Sequence, residues 1–222
     1  MIEAARVGDV KALRKLLASG ANPDEKGKGG ATPLFYAASG DHAQVAEILL
    51  AKGASVNTVD NKGRTALFAN LNNDKDSLEI LQLLILKGAA INHRDSFGMN
   101  ALHLSVDVHG SHSKTKFLIE NGIEINVQSA KEKDFALRIA TSWGDKAAVQ
   151  LLLERGSNPN LQRQDGTTAL MEACLGKHLA IVKMLLDYGA DPSLTNKEGQ
   201  SAYDLVATDD SEIRSLFKSE GN

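Results

Sequence analysis

Cysteine is nearly absent from this 222-residue chain, where Cys174 stands alone. A single thiol excludes an intrachain disulfide and fits a reducing compartment. No stretch approaches the roughly 18 consecutive apolar residues that a membrane span needs. Met1–Val10 has neither the basic start nor the apolar run of a signal peptide. These two absences point to the cytoplasm, with the nucleus also open. Charge of one sign is lacking too: the formal net charge is −3, so neither nucleic acid nor a membrane surface is an expected bulk partner. Chemistry-bearing motifs are missing as well. No Ser/His/Asp constellation, phosphate-cradling loop or paired-carboxylate motif stands out, so the chain reads as a non-enzyme with no cofactor and no catalytic residue.

What is present is a glycine that returns at Gly20, Gly53, Gly88, Gly122, Gly156 and Gly189. Each follows an apolar run, such as Leu49-Leu50-Ala51-Lys52 or Leu152-Leu153-Glu154-Arg155. The gaps of 33, 35, 34, 34 and 33 residues mark a chain built by stacking one small unit. In such a chain, function is sought on an extended repeated face rather than in one deep pocket.

Residues 27–60 show the unit most clearly. Thr32 can cap a helix whose first residue is Pro33, where the missing N–H costs nothing. The small residues Ala37 and Ala38 in Pro33–Ser39 allow close approach of a neighbouring helix. After a Gly40-Asp41 turn, a second helix over His42–Lys52 sets Val45, Ile48 and Leu49 on one stripe. Gly53 ends it in the left-handed conformation, and Ala54–Asn61 reads as an extended turn leading outward. The same columns recur: caps at Thr32, Thr65, Asn100, Phe135, Thr168 and Ser201, and helix-stopping positions at Pro23, Val56, Ile91, Ile125, Pro159 and Pro192. An isolated unit could not bury its apolar stripe, whereas stacked units share a continuous core.

These residues resemble the ankyrin-repeat family. The resemblance is carried by Ala31-Thr32-Pro33-Leu34 with Ala37-Ala38, Gly63-Arg64-Thr65-Ala66-Leu67, Asn100-Ala101-Leu102-His103-Leu104, Gly166-Thr167-Thr168-Ala169-Leu170, and the turns Gly20-Ala21-Asn22 and Gly189-Ala190-Asp191. It implies an all-α repeat fold, an α-solenoid of stacked helix-turn-helix units with protruding loops or β-hairpins, and a concave binding face. The expected organisation is a single domain over 1–222. An N-terminal end unit covers 1–26, full repeats cover 27–59, 60–94, 95–129, 130–162 and 163–195, and a C-terminal end unit covers 196–222. The first unit begins directly in a helix, which leaves room for the chain to be part of a longer protein. The last carries Asp209, Asp210, Lys218 and Glu220, the polar outer face that a terminal repeat requires.

Departures from the pattern are where function or strain concentrates. Extra residues fall between helices near Leu71–Ser77 and Asp107–Ser113, either as tolerated insertions in exposed turns or as a local contact site. In repeat five, Lys133 replaces a loop glycine and Phe135 replaces the cap, which predicts a less regular loop. His103, His109 and His112 cluster without a nearby cysteine, which argues against a metal site. By resemblance, His103 makes structural hydrogen bonds and Cys174 is a packing thiol in the small-residue column of Ala38.

The resemblance further implies that partners are contacted at loop tips, at the end of the first helix and at the residue before the stop glycine. Those columns hold Lys62 and Arg64, Phe97 and Met99, Lys131 and Glu132, Trp143, Arg155, Gln164 and Asp165, and Tyr188. Trp143, the only tryptophan, sits where small or polar residues would serve folding, and Trp, Tyr and Arg dominate binding hot spots. Packing against a neighbouring repeat is its alternative role. The leading expectation is therefore a monomeric module binding a protein or peptide partner: an adaptor, scaffold, inhibitor or effector. Two rivals stay open: a small-ligand or nucleotide sensor, with Trp143 stacking a base and Arg155, Lys131 or Arg64 holding phosphate, and the targeting segment of a larger enzyme.

Overall fold

Helix pairs separated by glycine stops make up the computed structural model, which describes residues 1–73, 75–107, 112–208 and 210–217. The chain divides into two compact units, Met1–Ile123 and Glu124–Asn222.

In the first unit, α1 (Ile2–Arg6), α3 (Pro33–Ser39), α5 (Ala66–Leu71) and α7 (Ala101–Asp107) pack successively side by side. Their partners α2 (Val10–Ala18), α4 (Ala43–Ala51) and α6 (Glu79–Leu86) form a second row, and α8 (His112–Glu120) pairs with α7. The small residues of the first helices make this close approach possible: Ala5, Ala37, Ala38 and Ala101 are buried, interleaved with Leu13, Leu34, Leu49, Leu81 and Leu84. In the second unit, α9 (Ala136–Ser142) packs on α11 (Ala169–Leu175), and α10 (Lys146–Glu154) on α12 (Leu179–Asp187). The short α13 (Ser211–Leu216) closes against α12.

The helix over Pro33–Ser39 forms over those residues, and Thr32 Oγ1 accepts from Phe35 N at 3.3 Å. Thr168 does the same for Met171 N at 3.2 Å. The second helix is one residue shorter at each end than the pattern predicts, because His42 and Lys52 are its caps. The capping column itself is less uniform than expected. Thr65 and Phe135 occupy the position without a side-chain cap bond. Ser201 starts no α-helix: residues 202–206 form turns, and Ser201 Oγ donates to Asp204 Oδ2 at 2.6 Å. Among the described residues the loops form no strands, only isolated antiparallel bridges at Arg94–Asn100 and Thr195–Ser201.

Four of the stop glycines, Gly88, Gly122, Gly156 and Gly189, are also tied to the repeat before them, a feature the spacing alone does not reveal. Asn57 Nδ2 donates to Gly88 O at 3.1 Å while its Oδ1 accepts from Ala90 N at 2.9 Å. Asn160 does likewise to Gly189 O and Asp191 N, at 3.0 and 2.7 Å. One amide thus satisfies a carbonyl left open at a helix end and an amide of the following turn.

The insertion after α5 is held down by structural bonds. Lys75 Nζ donates to Gly40 O at 3.1 Å, and the buried Lys114 donates to Asn70 O at 3.0 Å and Asn73 Oδ1 at 2.9 Å. Val108, His109, Gly110 and Ser111, in the second insertion, lie outside the described residues, as do Asp209, Lys218 and Glu220.

Lys133 adopts φ 55°, the left-handed region that glycine fills at the equivalent Gly63 (φ 73°) and Gly166 (φ 84°). The turn is therefore kept without glycine, but it closes one residue wider. Ser129 N donates to Asp134 O, five residues on, whereas Asp60 N donates to Arg64 O, four on.

Candidate functional site

The loop tips of the first unit are laced together by main-chain bonds. Asn61 N donates to Gly29 O at 2.9 Å, and Ser96 N donates to Lys62 O at 3.0 Å. The approach is so close that a Cβ on Gly63 would lie 2.8 Å from Ser96 N. An aspartate organises each tip from within. Asp60 Oδ1 accepts from Lys62 N and Arg64 N at 2.8 and 2.9 Å, and Asp95 Oδ1 accepts from Phe97 N and Met99 N at 2.9 and 3.0 Å.

Lys62 is exposed and Phe97 is 58% exposed, whereas Met99 is half-buried. Arg64 is committed to the fold. Its guanidinium donates to Asp60 Oδ2 at 2.7 and 3.0 Å and stacks over Phe35 at 5.6 Å. Burial pushes the Asp60 carboxyl up, but the bonds from Arg64 and from the two amides outweigh it and hold the group below its ordinary value.

The second unit repeats the device. Gln164 N donates to Glu132 O and Lys197 N to Asp165 O, both at 2.9 Å. Lys131, Glu132 and Gln164 are exposed and Asp165 is half-buried. Arg163 reaches both carboxylates, at 3.5 Å to Glu132 and 3.2 Å to Asp165. The Asp165 carboxyl is likewise lowered: burial raises it, and the Thr167 hydrogen bonds and Arg163 charge more than offset that. Below these tips, Arg138 bridges Asp134 and Glu172 at 2.5 and 3.3 Å, a link between adjacent first helices that repeat alignment does not single out.

Trp143 caps the C-terminus of α9 and is 50% exposed. The caps of α1, α3, α5 and α11 are Val7, Gly40, Asn72 and Gly176, so the backbone there needs no large side chain. Leu175, at 57%, and Leu179, at 37%, are also exposed. They flank the turn whose His178 ring would lie 2.7 Å from a Cβ on Gly144, the neighbour of Trp143. A tryptophan and two leucines are therefore exposed at the inter-helix turns of adjacent repeats. The leucines escaped the sequence reading because a leucine in a helical run is ordinarily core.

Arg155 and Tyr188 lie elsewhere. They cap the C-termini of α10 and α12, whereas Trp143 precedes the N-terminus of α10. Nine helical residues separate the two ends by about 13 Å. The expected anchors thus fall into two groups, at the two ends of the second helices.

His103 is fully buried, with Nδ1 2.7 Å from Asn100 Oδ1. His109 is outside the described residues, and among those described no group of three or more His, Cys, Asp or Glu is placed to hold a metal ion. Cys174 is buried, and burial, helped by the charge of Asp210, pushes its thiol up to about 12. That is the environment of a packing thiol, not a nucleophile. Among the described residues no helix is long and apolar enough to cross a membrane.

The family model described as ankyrin repeats (3 copies) matches residues 1–95, 69–163, 102–196 and 137–217. Zebrafish (Danio rerio) inversin is 42% identical over 67 residues, covering 30% of this chain and 7% of inversin. The nuclear factor NF-kappa-B p105 subunit of Gallus gallus is 32% identical over 141 residues, covering 63% of this chain and 14% of that protein. The matched part is thus a small share of each relative's length. Among solved structures, the ankyrin repeat domain of human ASB11 matches with a TM-score of 0.85 at 28% identity, over 99% of this chain and 97% of that one. That of Bcl-3, described as a unique member of the IkappaB protein family, matches with 0.82 at 25%, over 97% and 96%. Ankyrin repeat domains generally mediate protein–protein interaction. On its repeat columns, its stacked helix pairs and these matches, the chain belongs to the ankyrin-repeat family.

Proposed function

We propose that this chain is a non-catalytic interaction module that takes a peptide or protein partner on the concave face of the array, built from loop tips and first helices. Half-exposed Trp143, at a cap that α3 and α11 fill with glycine, carries the reading. A half-exposed large aromatic leaves apolar surface in water, whereas in an interface that surface is an anchor. In the second unit the contact surface is Trp143 with the tips at Lys131, Glu132, Gln164 and Asp165. In the first it is Lys62, Phe97 and Met99. The bonded tips favour binding by preorganisation, since little loop entropy is lost on association.

The mixed charges of these tips favour a polypeptide over nucleic acid. The chain acts as a monomer in the cytoplasm or nucleus. One relative is by name a subunit of a nuclear factor, in keeping with assembly. A second reading, the targeting segment of a larger enzyme, draws on another relative named an E3 ubiquitin-protein ligase, of which the matched part covers 2%.

Affinity capture from the source cell, run with wild-type and Trp143→Ala chains side by side, tests the site. The variant is expected to weaken binding of the captured partner by about 2 kcal/mol while thermal unfolding is nearly unchanged. Loss of binding only through unfolding of the variant would sink the assignment.

A further inference from the structure

The second-helix row of the first unit carries a recess that the loop-tip reading does not use. Between α2 and α4 lies a cavity of about 210 Å³ lined by Arg14, Leu17, Ala18, Ile48 and Lys52. Its floor is aliphatic. Its two walls, one from each helix, each carry an exposed cation, and neither Arg14 nor Lys52 makes an ion pair or side-chain hydrogen bond among the described residues. Helix α2 contains no acidic residue. The same character continues one repeat on, where Leu86 is 80% exposed beside Lys87.

A cation at a helix C-terminus, such as Lys52 or Lys87, also steadies its own helix dipole. Arg14 is a full turn inside α2, where that account does not reach. An aliphatic recess between two uncompensated cations is complementary to an aliphatic side chain flanked by carboxylates. On a helix, such groups share one face at three- and four-residue spacing.

We propose that the α2–α4 groove docks an acidic amphipathic helix of a partner protein. One aliphatic side chain enters between Leu17 and Ile48, and carboxylates on either side of it pair with Arg14 and Lys52. An anionic bilayer suits the recess less well, because a flat surface leaves it unfilled and Glu47 and Glu79 are exposed in the same row. The proposal does not depend on Trp143, which lies in the other unit.

The test uses the full chain and a fluorescein-labelled synthetic helix with leucines at i, i+4 and i+7 flanked by glutamates. It is run beside a lysine-for-glutamate and a serine-for-leucine version. The Glu/Leu helix is expected to bind in fluorescence anisotropy, more weakly as salt is raised. The R14E/K52E double variant should weaken it roughly tenfold or more, with R14Q/K52Q intermediate. Far-UV circular dichroism checks that both variants fold, and W143A should bind this helix as wild type does. Equal binding by the charge-reversed chain, equal binding of the Lys/Leu helix, or no binding of the Glu/Leu helix while phosphatidylserine vesicles sediment the protein would each overturn the proposal.

Discussion

Asp60 shows how one side chain can organise a loop. Its side chain is only 4% exposed and receives two main-chain and two guanidinium hydrogen bonds. Because its carboxyl is held below the ordinary 3.8, the unfolded chain binds the proton more readily than the folded one. The group therefore contributes stability above 3.8, and that contribution is lost as pH falls through the lower folded value. Urea unfolding followed downward from pH 5 should show a steeper loss of stability for wild type than for Asp60→Asn. At neutral pH, Asp60→Asn should cost about 1–3 kcal/mol, since Arg64 loses its charged acceptor. Equal acid slopes in the two proteins would rule out this role. The tip's exposed residues were legible in the sequence, but that Arg64 serves Asp60 and Phe35 was not, because a basic loop residue reads the same whether it faces a partner or its own turn.

At the scale of elements, one capping column hides two kinds of cap. Thr168 Oγ1 accepts from Met171 N, whereas Thr65 makes no such bond although it is buried in the same register. Replacing each by valine keeps the shape and removes the hydroxyl. Thr168→Val should lower stability by about 1 kcal/mol, and Thr65→Val should change it by less than half of that. Chemical denaturation of the two variants checks the contrast, and equal losses would mean that the bond is not the cause. The helix-turn-helix frame itself was readable from proline, small residues and the glycine stop, each acting within a few residues of its own position. Leu175 and Leu179 were not, because whether an apolar helix residue is covered depends on neighbours some 30 residues away.

At the scale of the molecule, a single domain over 1–222 is our proposal, and the two compact units make it testable. Trp143 is the only tryptophan and reports on the second unit, while far-UV circular dichroism reports on both. A single cooperative domain predicts coincident thermal midpoints from the two probes. A tryptophan transition displaced from the helical one would mean that the units unfold separately, as repeat arrays do when cooperativity breaks down.

The sequence by itself determined the repeat, its length, the helix-turn-helix order and the family, because these rest on local backbone preference and on a period that recurs down the chain. It also singled out Trp143 and Phe97 as candidate contact residues, with packing as the alternative role of each. Only the tertiary structure decided which charges are already satisfied, as for Arg64 and Arg138, which asparagines tie one repeat to the next, and which leucines remain uncovered. Only it opened the groove at Arg14 and Lys52. Those outcomes depend on distances between side chains, some within one loop and some about one repeat apart, which the turn geometry and the packing of each helix against the next fix.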